Sequence, residues 1–221
     1  MKLLAFDTST EACTAALWQD GKVLERVEQH SQHSEHLLSL IDKLLAEAGT
    51  TLSQLDAIAF GRGPGSFTGL RIGAGVAQGL AFVANLPVVP VSSLAALAQG
   101  VEADHVLAAF DARMGQVYWG AYQRNAQGLM EAVQAEAVMN PATVPFPDNA
   151  RWVGVGPGWD VYATALTARV GAALARHLAG VLPRAAPLAV LAAAEYRAGR
   201  TVAAEDAVPV YLRDEVAVKK V

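Results

Sequence analysis

Cysteine is all but missing from this chain. Cys13 is the only one among 221 residues, which excludes an internal disulfide and fits a reducing compartment. Blocks of lysine and arginine are missing too. With 17 basic against 21 acidic residues and a formal net charge of −4, the chain alone is a poor candidate for gripping a nucleic-acid backbone. Charged residues are scarce, at 17%, while hydrophobic ones reach 53%. Burying a sizeable core, in one large or two small domains, is therefore easy. Uninterrupted apolar runs are also lacking. The opening MKLLAF is too short for a signal-peptide core, and Asp7 ends it. Residues 70–91 have the length of a membrane span, but Arg71, Gln78, Asn85, Pro87 and Pro90 interrupt them. They read as a buried helix followed by a strand, with no membrane involved, and the cytoplasm is the expected location.

What the chain does have is GRGPGSFTGLRIG, residues 61–73. It follows the apolar run AIAF, residues 57–60, which reads as a buried strand, and an apolar helical stretch begins near Thr68. Strand, glycine-rich loop and helix N-terminus make an anion-binding geometry, because free N–H groups and the positive helix end point at the loop. Both common phosphate fingerprints are absent: no lysine followed by Ser/Thr closes the loop, and the glycine spacing is not that of a dinucleotide turn. The competing reading is that the glycines only permit a tight turn.

The chain also carries a hidden duplication. A segment from Leu3 and one from Val106 each start with an apolar strand ending in Phe-Asp, at Phe6-Asp7 and Phe110-Asp111. Each returns as an alternating strand, over 13–19 and 116–123, then turns at Gly21 or Gly128 into a third. Helical periodicity follows over 34–48, where Leu37, Leu38, Ile41, Leu44 and Leu45 share a face, with Ser34 placed to cap it. Residues 159–170 and 186–198 read as helices of the second half, and 152–155 as a strand before a second glycine turn. The pattern of three strands, helix, strand and helix, given twice, resembles the actin-like ATPase superfamily. That likeness implies a two-domain α/β fold of the ribonuclease H-like kind, each half a mixed sheet with flanking helices. The expected halves are 1–103 and 104–221, with the last helix able to pack back on the first. In such folds the two first-strand turns hold nucleotide phosphates. Asp7, Thr8, Ser9 and Thr10 match one turn. Asp111, Ala112, Arg113 and Gly115 match the other less well, and Gly154, Gly156 and Gly158 fall where adenosine-binding glycines would be. Without that likeness, the two aspartates are turn formers.

Five motifs, DTST, HSEHLLSLI, GPGSFTGLRIG, FDARMGQVYWGAY and PVYLRDEVA, together resemble the TsaB family over the whole chain. The resemblance implies a non-catalytic scaffold or activator for a TsaD-like subunit. That subunit transfers threonylcarbamoyl to adenosine 37 of tRNAs reading ANN codons. A TsaE-like P-loop ATPase is implied as a third component, a second copy of this chain as another partner, and tRNA only through the complex. In the catalytic relative two histidines after the glycine helix bind a metal. Here those positions are Ser93 and Leu97, and neither suits a metal. No metal or cofactor is expected on this chain, with ATP or ADP left to the complex. The resemblance makes Gly63, Pro64, Gly65 and Ser66 loop residues that face nucleotide or the complex, along with Asp7, Thr8, Ser9, Thr10, Asp111 and Arg113. Two alternatives stay open: a small ATPase or kinase of the same superfamily, and a metallopeptidase-like protein.

Other constellations are weaker. His30, His33 and His36 recur every third residue but have no cysteine nearby, and read as solvated residues at a helix start. Cys13 sits in an apolar strand as an inert thiol. Ser66 lacks a nucleophile elbow, because Thr68 stands where glycine is needed. Trp18, Trp119, Trp152 and Trp159 read as core. The glycine helix stands out, over residues 68–85. Arg71, Gln78 and Asn85 fall within a stripe of roughly 40° at about 100° per residue, and nearly everything else is apolar. Such a helix needs cover on more than one side. Gly69, Gly73, Gly75 and Gly79 give four-residue spacings that allow close backbone approach. Helix 34–48 is one candidate cover and a partner protein the other. The partner reading places Thr68, Gly69, Ile72, Gly73, Gly75, Val76, Gly79, Leu80 and Val83 in an interface, with Leu37 and Ile41 beside them.

Overall fold

The computed structural model describes residues 1–29, 33–147 and 150–213. Three strands open the chain: β1 (Lys2–Asp7), β2 (Ala12–Gln19) and β3 (Lys22–Gln29). β2 and β3 join through Asp20 and Gly21, with φ of 50° and 87°. Both turn residues are left-handed, the conformation that lets a two-residue hairpin follow the sheet twist. Next come α1 (His33–Glu47), β4 (Ala57–Gly61), α2 (Phe67–Ala84), β5 (Val88–Val91) and α3 (Ser93–Gln99). The sheet order is β3-β2-β1-β4-β5, with β1 antiparallel to β2 and parallel to β4. The central strands are buried on both faces, which explains why β1 and β4 read as continuous apolar runs.

The second half repeats this order. It contains β6 (His105–Asp111), β7 (Val117–Arg124), β8 (Met130–Ala132), β9 (Ala137–Met139), β10 (Trp152–Val155), α4 (Pro157–Val170), β11 (Leu174–Leu178) and α5 (Ala185–Arg197). Its sheet runs β11-β10-β6-β7-β8, and β9 also pairs with β7. The duplication is incomplete. Where the first half has α1, the second has β9 and a short 3-10 turn, Pro141–Thr143, packed on α4. The expected repeat of a helix at that point is therefore corrected.

Helices cover both faces of the first sheet. Leu37, Leu40, Ile41 and Leu44 of α1 and Ala74, Ala77 and Ala81 of α2 meet Leu4, Phe6, Ala15 and Leu17 on one face. On the other, Leu188, Ala189 and Ala192 of α5 meet Leu3, Ala5 and Trp18. The last helix thus packs on the first sheet. α3 lies between the sheets: Ala96 belongs to the cluster under α5, Leu94 and Leu97 to a third with Val106, Phe110 and Tyr122. A fourth cluster gathers Trp119, Trp152 and Trp159 between the second sheet and α4. α2 is long and apolar enough to cross a membrane by length and composition, but its Leu70, Ala74, Ala77 and Ala81 are buried inside the protein.

Candidate functional site

The turn after β1 and the glycine loop after β4 are built into each other. Asp7 is 1% exposed. Its Oδ1 accepts from the Ser9 amide at 2.8 Å and the Ser9 hydroxyl at 2.6 Å, and its Oδ2 accepts from Ser93 Oγ at 2.7 Å. Thr8 Oγ1 donates to the Gly69 carbonyl at 2.8 Å, and the Ser66 amide donates to the Ser9 carbonyl at 2.7 Å. Ser66 caps α2, accepting from the Gly69 amide. The Gly63 carbonyl accepts from the Ser93 amide, 2.9 Å. A Cβ on Gly61 would lie 1.8 Å from Asp7 Oδ2, and one on Gly69 would lie 2.0 Å from the Thr8 carbonyl oxygen. These glycines let two loops approach more closely than any side chain permits.

The turn after β6 is more open. Asp111 Oδ1 accepts from the Arg113 amide at 2.8 Å and from Tyr162 Oη at 3.1 Å, while Oδ2 pairs with the Arg113 guanidinium at 3.0 Å. α4 departs from helical geometry at Tyr162. The Tyr162 hydroxyl is raised above its ordinary value, by desolvation first and then by Asp111. Gly154, Gly156 and Gly158 all face inward. Gly154 makes room for the Trp159 ring, and the other two lie against Ala109. Each of the three thus has a packing reason to be glycine, apart from the adenosine contact that the actin-like resemblance suggested.

Ser93 and Leu97 have structural roles. Ser93 is fully buried on Asp7, and Leu97 is in the core. The preceding Ser92 donates to Glu136, which also accepts from Tyr122 Oη at 2.5 Å. Burial, then Glu136, pushes the Tyr122 hydroxyl well above its usual range. This link between α3 and the second half has no signature in the sequence. The Cys13 thiol is pushed up to about 11, by burial first and then by Glu28 and Asp7, as an inert thiol would be. His36 Nδ1 lies 3.3 Å from Glu28. His30 and the Asp214–Ala217 part of the last motif lie outside the described residues. α1 begins at His33, one residue before the expected cap Ser34.

The predicted interface divides in two. Gly69, Gly73, Leu37 and Ile41 are buried inside the protein, so assigning them to an interface is corrected. Gly73 lies against Thr8 Oγ1, and the two leucine-type positions face the sheet. Thr68, Ile72, Gly75, Val76, Gly79, Leu80 and Val83 all keep exposed surface. A Cβ on Gly75 or Gly79 would meet nothing within 4 Å. Phe82 and Val83 are each 80% exposed, with Leu38 of α1 at 48%. Sequence reasoning missed Phe82, although it shares the helical face of Gly75 and Gly79 and is the largest apolar side chain there.

Two halves of one topology, each with an aspartate-bearing turn after its first strand, define an actin-like α/β protein. The family model for "TsaD: tRNA N6-adenosine threonylcarbamoyltransferase" matches residues 26–221. The chain belongs to the TsaB family, on the likeness of curated members along its whole length. The "tRNA threonylcarbamoyladenosine biosynthesis protein TsaB" of Escherichia coli (strain K12) is 44% identical, covering 100% of this chain and 98% of its own. That of Haemophilus influenzae is 41% identical, covering 100% and 97%. Among solved structures, YeaZ from Pseudomonas aeruginosa is 47% identical with a TM-score of 0.88, covering 96% of this chain and 99% of its own.

Proposed function

We propose that this chain serves tRNA threonylcarbamoyladenosine biosynthesis, the role for which its family is named, as a non-catalytic subunit. It holds and activates a TsaD-like partner that modifies adenosine 37 of tRNAs reading ANN codons. The observation that carries this reading is the use made of Ser93 and Leu97. At the two positions where the catalytic relative has metal-binding histidines, one side chain donates to a buried aspartate and the other fills the core. Neither supplies a metal with a strong donor. The two turn carboxylates fit the same picture, since Asp7 and Asp111 each position their own turn. The cytoplasm as compartment and the division into halves at 103/104 belong to the same reading.

The partner surface we assign is the exposed face of α2, from Thr68 to Val83, with Leu38 beside it. Large apolar side chains there lack cover within the chain, and Gly75 and Gly79 leave room for a second backbone. A TsaD-like subunit and a second copy of this chain compete for this face. A TsaE-like ATPase brings nucleotide chemistry to the assembly, and tRNA is reached through the complex. Reconstitution tests this. The chain, a TsaD-type subunit, a P-loop ATPase subunit and tRNA are mixed, and modified nucleoside is measured by mass spectrometry. The chain alone makes none, and omitting it from the mixture abolishes product. Product from the chain alone, or an undiminished yield without it, contradicts the reading.

A further inference from the structure

The chain continues past α5 as a strap over the first half. Val202 and Val88 exchange backbone hydrogen bonds of 2.8 and 2.9 Å at the edge of β5. A 3-10 turn, Ala204–Asp206, then packs on α2, and Ala207 is fully buried in the core beneath α1 and α2. Gln78 donates to the Ala207 carbonyl at 3.2 Å, which accounts for one of the three polar residues of the α2 stripe. The Val210 amide donates to the Arg62 carbonyl at 2.8 Å. Arg71 accounts for the second: its Nε donates to Tyr211 Oη at 3.3 Å, and the Tyr211 ring lies 5.5 Å from that of Phe67. Arg213 then crosses to the second half. Its guanidinium donates to Gln116 Oε1 at 2.6 Å and to Met114 Sδ at 3.1 Å.

The turn that Arg213 grips is a strained one. Arg113, Met114 and Gly115 have φ of 61°, 55° and 73°, so two side-chain-bearing residues in succession occupy the left-handed region. That conformation persists only where its surroundings impose it. Asp111 and Tyr162 support the turn from within the second half, and Arg213 supports it from the strap.

We infer that residues 202–213 are a mechanical coupling between the N-terminal end of α2 and the Asp111–Val117 turn, with Tyr211 and Arg213 as its two pins. The strap is fastened along the first half to Val88, Arg62 and Phe67–Arg71, and at its Arg213 end to Met114 and Gln116 of the second. A body that displaces Tyr211 from α2 therefore loosens a turn belonging to the other sheet. Coupling of this kind requires an element whose state both ends bias, and it must be measured rather than traced through contacts.

Hydrogen exchange on the full chain measures it. The Ala112, Arg113 and Gln116 amides are bonded within the turn, to the Gln116 carbonyl, Asp111 Oδ1 and the Arg113 carbonyl. Arg213→Ala raises their exchange roughly tenfold, as expected for losing a hydrogen bond to a charged group. Tyr211→Ala, which removes the strap's contacts with Phe67 and Arg71 of α2, raises the same three by a similar factor, while β2 amides and the melting temperature stay unchanged. Gln116→Ala removes the acceptor from the turn side and gives the same signature with the strap intact. If Arg213→Ala loosens the turn and Tyr211→Ala leaves it unchanged, the two contacts are independent and the coupling is overturned. Unchanged exchange in both strap variants overturns it as well.

Discussion

Gly69 and Gly79 lie on one helix, ten residues apart in sequence, and have opposite surroundings. A methyl group on Gly69 would strike the Thr8 carbonyl, a backbone atom in the residue that follows β1, whereas one on Gly79 would enter open space. Glycine in a helix interior costs about 1 kcal/mol relative to alanine. Gly79→Ala is therefore expected to stabilise the monomer by about 0.5–1 kcal/mol, and Gly69→Ala to destabilise it by roughly 2–4 kcal/mol through overpacking. Denaturant unfolding of both variants checks this. Destabilisation of similar size in both would mean that Gly79 also packs inside. The four-residue spacing of these glycines was legible in the sequence, but their direction was not. Spacing marks a face that allows close approach; only the phase of the helix on its sheet decides whether the protein's own Thr8 or another chain makes the approach. For the same reason Leu37 and Ile41 looked like interface residues, although both are buried in the core beneath α1.

At the scale of elements, the long helices and the strands other than β9 and β11 were readable because their signals are local. The paired Phe-Asp strand ends, the turn glycines and the apolar period of α1 each lie within a few residues. The helix α3 was missed, being only seven residues long and made of alanine, leucine, serine and glutamine with buried residues all round. The absent second-half counterpart of α1 was missed because the repeat argued for it. Long-range closure was equally hidden. Glu25 on β3 accepts from the Arg184 guanidinium and, at 2.9 Å, from the Ala186 amide at the start of α5, 161 positions away. It caps a helix that has no side-chain cap of its own and pins it to the edge of the first sheet. Glu25→Ala is expected to cost about 1 kcal/mol and lower the melting temperature by about 2–4 °C. Calorimetry on the purified chain reads this, and an unchanged melting temperature would show that α5 is held by Leu188, Ala189 and Ala192 without help from the cap.

For the whole molecule, the two sheets with α3 between them make one body, and among the described residues the two most exposed large apolar side chains, Phe82 and Val83, lie together on α2. The sequence made the helix suspicious through its nearly all-round apolar wheel. The structure refines the reason: one face lies on the sheet, the polar stripe meets the strap at Arg71 and Gln78, and Ile72, Gly75, Val76, Gly79, Phe82 and Val83 remain. The proposed role depends on whether that remaining face binds a partner. The most direct measurement is sedimentation of the Gly79→Arg variant, alone and with a TsaD-type subunit, beside the thermal melt of the monomer. Because a side chain at that position enters open space, the fold is expected to survive. An unpaired charge between apolar surfaces costs several kcal/mol, so association falls about a hundredfold or more, beyond detection for a micromolar complex. A variant that melts like the parent and still associates with unchanged affinity would contradict the account.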